Sequence, residues 1–229
     1  MKVRDVMTAN VVTVKPETTV QEIAKVLVKW RISAVPVVDD QAHLVGIVSE
    51  GDLMRQDETD TTSPGSWWLR MFADDASLAA AYAKARGLMA RDVMTRDVIT
   101  IEEEASLAEA AAQLERNRIK RLPVIRDRAV VGILSRANLV QALASVTPQM
   151  AAASDADRAI KASLLAELKN QPWLSRRSLN VIVQDGAVQL WGAVVSNEER
   201  NAIIVAAERT PGARSVEDHL VVEPIMQWD

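Results

Sequence analysis

The 229-residue sequence predicts an α+β fold: two β-α-β-β-α repeats packed as a pseudo-two-fold pair, followed by a small α-β-β-α-β unit. Three observations predict it. Arg4-Asp5-Val6-Met7-Thr8 returns as Arg91-Asp92-Val93-Met94-Thr95, and residues 4–41 align without a gap to 91–128 with 16 identities in 38 columns. Each copy alternates β-branched runs with apolar residues at helical spacing. Beyond residue 155 another pattern begins, centred on Asp185-Gly186 between two alternating runs, a strong hairpin signal. A unit of roughly fifty residues buries little core alone, so the copies are expected to pack as a pair with a cleft between them.

Each copy opens with a short segment ending in Val-Met-Thr. Val11-Val12-Thr13-Val14 and Val98-Ile99-Thr100-Ile101 are β-branched throughout, as strands prefer. Thr19-Val20-Gln21-Glu22 and Ser106-Leu107-Ala108-Glu109 fit the capping box, a hydroxyl with a Glu three residues on. Val20, Ile23, Ala24 and Leu27 then recur on one helical face, as do Leu107, Ala110, Ala111 and Leu114. Pro36-Val37-Val38 and Pro123-Val124-Ile125 mark a second strand. Val45-Gly46-Ile47-Val48 and Val131-Gly132-Ile133-Leu134 mark a third, and a closing helix starts near Ser49 or Ser135. The repeats are expected over 1–56 and 88–146.

Residues 57–87 interrupt the pattern. A polar loop precedes Trp67-Trp68, and an alanine-rich, helical stretch is expected from Ala76 to about Arg86. Adjacent tryptophans cannot face one side of an element. They are expected to cover the core or a dimer seam, with a membrane or partner contact as the alternative. In the last unit, 155–224, Ile160, Leu164, Leu165 and Leu168 share a helical face. The strands 179–184 and 187–193 flank Asp185-Gly186. Ser196-Asn197-Glu198-Glu199 opens a helix through Ala207, Pro211-Gly212 ends it, and Val216–Val222 alternates as a last strand.

The motifs in combination resemble a tandem pair of cystathionine-β-synthase (CBS) domains: Val-Met-Thr, a Thr-bearing strand, a helix, Pro-Val-Val, then Gly-Ile-Val-Ser-x-x-Asp. Such pairs commonly bind adenosine-containing ligands in the interdomain cleft. The resemblance implies that Asp52 holds the ribose hydroxyls while Ser49 lies near the phosphates. The second copy has Ser135 and Asn138 instead. An amide offers one carbonyl acceptor where a carboxylate accepts from both hydroxyls, so this half should be weaker. Residues 116–125 are similar to a stretch in γ subunits of AMP-activated protein kinase, where a basic pair before Leu-Pro-Val contacts phosphates together with the Asp of the other copy. Here that pair is Lys120-Arg121, and its first-copy counterpart Ser33-Ala34 is uncharged. The expected site is therefore Ser49, Asp52, Val98, Thr100, Lys120 and Arg121, with Val98, Ile99 and Thr100 lining an adenine slot. A weaker second site would use Ser135, Asn138 and Thr13. Helix capping alone would also explain Ser-x-x-Asp, and the basic residues from Arg116 to Arg128 would also suit a solvated face.

The last unit resembles the BON (bacterial OsmY and nodulation) domain through Val183–Gly192, Ser196–Arg200 and Pro211–Val216. That family is associated with phospholipid surfaces or assembly. Trp191 is expected in the core. The net charge of −4 argues against a general nucleic-acid binder. The absence of cysteine excludes a disulfide or thiolate site, and His43 and His219 are too far apart in sequence to suggest a metal cluster. No nucleophile–base pair or phosphate-binding Gly loop is legible. The opening residues lack an apolar leader core. The expectation is a non-enzymatic bacterial regulatory protein of the cytoplasm, free or at a membrane surface, and a homodimer. It needs no cofactor and has AMP, ADP or ATP as regulatory ligand. Its BON domain would engage a phospholipid surface or protein partner. The alternative is a constitutive dimerisation or membrane-binding scaffold.

Overall fold

The computed structural model describes residues 1–54, 88–145, 153–169, 171–174 and 179–223. Trp67-Trp68 and the helix expected over 76–86 lie outside them. In chain order the elements are α1 (Val3–Val6), α2 (Val20–Trp30), β1 (Ala34–Val38), β2 (Leu44–Ser49), α3 (Glu50–Met54), α4 (Ala90–Val93), β3 (Ile101–Glu102), α5 (Leu107–Arg116), β4 (Arg121–Arg126), β5 (Ala129–Ser135), α6 (Arg136–Ser145), α7 (Asp155–Lys169), β6 (Asn180–Gln184), β7 (Ala187–Val194), α8 (Asn197–Arg209) and β8 (Ser215–Val222). They form two compact units. One holds 12–99 with 127–130, the other 1–11, 100–126 and 131–229.

In the first unit, β1 and β2 pair antiparallel. The Thr19 hydroxyl accepts from the Glu22 amide, and the Glu22 carboxylate accepts from the Thr19 amide, closing the expected capping box. Ile23 and Leu27 of α2 pack with Val35, Val37 and Val48. Each such burial contributes about 1.5–3 kcal/mol. The strand expected over Val11–Val14 shrinks to a single parallel bridge between Val14 and Val37. Its second-repeat counterpart is only β3, two residues long and parallel to β4. β-branching favours an extended chain but does not supply a partner.

The short segments that open each repeat are exchanged between the units. α4 packs in the first unit, where a Cβ on Gly46 would come within 2.8 Å of Met94 Cγ. α1 packs in the second, where a Cβ on Gly132 would lie 3.0 Å from Met7 Cγ. The methionine of each Val-Met-Thr thus lies against the glycine of the other repeat's third strand. The acid of each motif caps its own short helix: Asp5 accepts from the Lys2 amide at 2.8 Å and Asp92 from the Met89 amide at 2.9 Å.

The second unit has two cores. Val3, Val6, Ile101, Leu114, Leu122, Val124 and Leu134 form one. Leu164, Leu168, Val181, Val183, Leu190 and Ile203 form the other, between the β6-β7-β8 sheet and helices α7 and α8. The hairpin turns at Asp185 (φ 48°) and Gly186 (φ 78°), the paired positive φ values of a type I′ turn. Gly186 N–H donates to buried Asp157 at 2.8 Å and ties the turn to α7. Burial opposes ionisation of Asp157, but the bonds from Gly186 and Ser154 outweigh it and hold the carboxyl below its ordinary range.

Candidate functional site

The expected site residues fall in two groups. Ser49, Asp52, Val98 and Thr13 lie in the first unit, and Thr100, Lys120, Arg121, Ser135 and Asn138 in the second. The Ser-x-x-Asp/Asn motifs have the same backbone geometry. Ser49 N–H and Oγ donate to Asp52 Oδ2 at 2.8 and 2.6 Å, and Asp52 N–H donates back to Ser49 Oγ at 3.3 Å. Ser135 N–H and Oγ donate to Asn138 Oδ1 at 2.8 and 2.7 Å, and Asn138 N–H returns at 3.3 Å. Both motifs are therefore helix caps, whatever else they do.

They differ in what remains free. Asp52 is half-buried, and among the described residues its Oδ1 has no partner. Asn138 is 4% exposed, and its Nδ2 donates to Thr8 Oγ1 at 3.3 Å. One carboxylate oxygen is available to a ligand in the first motif, whereas the amide in the second is engaged at both ends. Thr8 carried no role in the sequence reading. Its position in Val-Met-Thr was visible, but not that it would meet the helix of the other repeat.

The residues before the second strand of each repeat are placed by the same helix starts. Glu50 N–H donates to Ser33 O at 3.1 Å, and Arg136 N–H to Lys120 O at 3.3 Å. The backbone of the basic pair thus lies beside the Ser135 motif of its own repeat. Lys120 is exposed and Arg121 half-buried at the start of β4. Val98 and Thr100 are half-buried, and Thr13 is exposed. Among the described residues no cluster of His, Asp and Glu is built to hold a metal ion.

The CBS-domain model matches residues 3–58 and 90–145, and the BON-domain model matches 156–224. The chain belongs to the CBS-domain family. CBSX1, a chloroplastic CBS domain-containing protein of Arabidopsis thaliana, is 35% identical over 137 residues, covering 56% of this chain and 57% of that one. Its relative CBSX2 is 32% identical over 141 residues, or 58% of each chain. This chain thus spans less than two thirds of these curated relatives. Among solved structures, the CBS domain of a CBS domain-containing membrane protein from Sphaerobacter thermophilus is 33% identical, with a TM-score of 0.51, covering 62% of this chain and 86% of that one. CBSX2 in complex with AMP is 31% identical with a TM-score of 0.49, covering 63% and 96%.

The CBS and BON parts are not independent beads. Ile182 of the BON strand β6 packs into the core of the second CBS repeat with Val3, Val6 and Leu122. Asn180 Nδ2 donates to Gln141 Oε1 of α6 at 2.8 Å. Trp191, expected in the core, packs against the second-repeat core and stacks on His219 with ring centroids 3.9 Å apart. Successive residues of a strand face opposite sides, so Val181 and Val183 fill the BON core while Ile182 turns to the repeat.

Proposed function

We propose that this chain is a cytoplasmic regulatory protein whose CBS pair binds an adenine nucleotide of the AMP/ATP type and relays its presence to the BON domain. The observation that carries the reading is Asp52: a half-buried carboxylate with one oxygen committed to Ser49 and the other without a partner among the described residues. A carboxylate in that state suits a ribose diol. Lys120 and Arg121 are the proposed phosphate ligands, with Val98 and Thr100 as further proposed ligand-binding residues. That CBSX2, a 32% identical relative, has been solved with AMP supports the ligand class. A homodimer fits the exposed Val140 (64%) and Leu143 (73%), three residues apart on α6. No helix among the described residues is long and apolar enough to cross a membrane. A phospholipid surface or protein is the proposed partner of the BON domain, and the chain itself performs no catalysis.

The bond from Arg136 N–H to Lys120 O favours a second reading of the basic pair, in which Lys120 and Arg121 serve a ligand on the Ser135–Asn138 motif of their own repeat. Calorimetric titration with AMP, ATP and NAD separates the readings. Saturable binding weakened in both Asp52→Ala and Lys120→Ala/Arg121→Ala supports one site using all three residues. Binding weakened only in the double variant supports the second reading. No binding to any of the three nucleotides leaves the scaffold.

A further inference from the structure

α1 is gripped from two sides. On one side, Thr8 exchanges backbone hydrogen bonds with Ile133 at 3.0 and 2.9 Å, and its hydroxyl accepts from Asn138. Asn138 stands in the first turn of α6, directly after Ser135 and the strand it ends. On the other side is Lys161 of the BON helix α7. Its Nζ donates to Arg4 O at 3.1 Å and to Asp5 O at 2.8 Å. Carbonyls at the end of so short a helix have no intrahelical partner, and a lysine is a suitable donor for them. Lys161 is only 9% exposed. A cation is kept in such a place only where it is well hydrogen-bonded, and burial pushes its pKa down to about 8 despite the charge of Asp5.

The seam between α1, α6 and the BON sheet is polar in an unusual way. Asp5 Oδ1 and Arg4 Nε of α1, and Asn180 Oδ1 and Trp191 Nε1 of the BON sheet, are buried without a partner among the described residues. Each such group costs about 1–3 kcal/mol in a fixed arrangement. Gln141, which accepts from Asn180, lies one turn along α6 from Asn138.

We propose that α1 connects the Ser135–Asn138 motif to the BON domain, with Thr8 and Lys161 as the two positioning residues, so that an adenine nucleotide seated on the CBS pair changes how the BON domain is held. This rests on the second nucleotide reading above, in which Lys120 and Arg121 serve a ligand on the Ser135–Asn138 motif. A ligand hydroxyl that takes the Asn138 amide removes its bond to Thr8. The released α1 then presents its carbonyls to Lys161 differently. Such coupling is reciprocal: a change at Lys161 must alter nucleotide affinity by the factor through which the nucleotide alters the seam.

The test is hydrogen exchange of α7 and β6 in the full chain, with and without saturating AMP, in the native protein, Thr8→Val, Thr8→Ser and Lys161→Met. AMP binding is measured in parallel by calorimetry. Native protein and Thr8→Ser should show exchange rates in α7 or β6 that change by about fivefold or more on AMP addition, the lower end of ordinary allosteric coupling. Thr8→Val and Lys161→Met should still saturate with AMP but lose that change. Rescue by Thr8→Ser separates the hydroxyl from mere packing. A native response that persists in Thr8→Val overturns the proposal, as does AMP binding with no response in α7 and β6, and both leave the nucleotide reading standing. Absence of AMP binding in the native protein overturns this proposal, and absence of ATP and NAD binding as well overturns the nucleotide reading.

Discussion

Replacing Ile182 with alanine is expected to destabilise the second CBS repeat, although Ile182 belongs to the BON domain. The side chain is 1% exposed and packs with Val3, Val6 and Leu122. The change removes three carbons, each worth about 0.8 kcal/mol on burial. The cavity left in a close-packed seam adds to this, giving about 3–4 kcal/mol, within the range for Ile→Ala in cores. Were the BON domain to swing free on its linker, Ile182 would face water and the same change would cost under about 0.5 kcal/mol. Urea unfolding followed by tryptophan fluorescence distinguishes the cases, with Val205→Ala, at a 47% exposed position of the same domain, as control. The expected result is a lower midpoint for Ile182→Ala with the repeat and the BON domain still unfolding together. A loss no larger than that of the control would refute the shared core.

Two further outcomes follow from the packing and charge. Gly46→Ala should lower stability by about 1–3 kcal/mol, the usual cost of overpacking, because the new methyl meets Met94; thermal unfolding checks this, and Met94→Ala in the same chain should recover part of it. Lys161 binds its proton less tightly folded, at about 8, than at its ordinary 10.5. The unfolded chain therefore holds more protons between these values, and the Lys161 contribution to stability rises with pH through that window. Relative to Lys161→Met, the native chain should gain about 2–3 kcal/mol between pH 7.5 and pH 10, read from unfolding midpoints at each pH. A flat difference would show that Lys161 is not buried as a cation.

Much of the fold is legible in local chemistry. Asp185-Gly186 marked its hairpin because a type I′ turn needs two positive φ values. Thr19-x-x-Glu22 marked a helix start because the hydroxyl and carboxylate satisfy two orphan amides. Ser196 kept only half of the expected box: its hydroxyl accepts from Glu199 N–H, but the Glu199 carboxylate accepts from Val195 instead. What was not legible depends on partners distant in the chain. The pattern around Val6 and Met7 shows that they are buried, not that they are buried in the other repeat's unit. Lys161, between Ile160 and Ala162, reads as a solvated residue until the Arg4 and Asp5 carbonyls are placed above it. Ile182 reads as the outward residue of a strand, and nothing local says what covers it. At the site, the Asp/Asn difference was readable at positions 52 and 138, but the lock of Asn138 by Thr8 needed the exchange of α1.

The central claim is that Asp52 makes the first motif competent for a nucleotide while Asn138 leaves the second weaker. Titration of AMP into Asp52→Asn and Asn138→Asp tests it most directly, since each substitution turns one motif into the other. The loss of a charge-assisted bond of about 1.5–3 kcal/mol should weaken binding by roughly tenfold or more in Asp52→Asn. Asn138→Asp, which cannot donate to Thr8, should bind additional nucleotide per chain. Affinity and stoichiometry unchanged from the native protein in both variants would contradict the account.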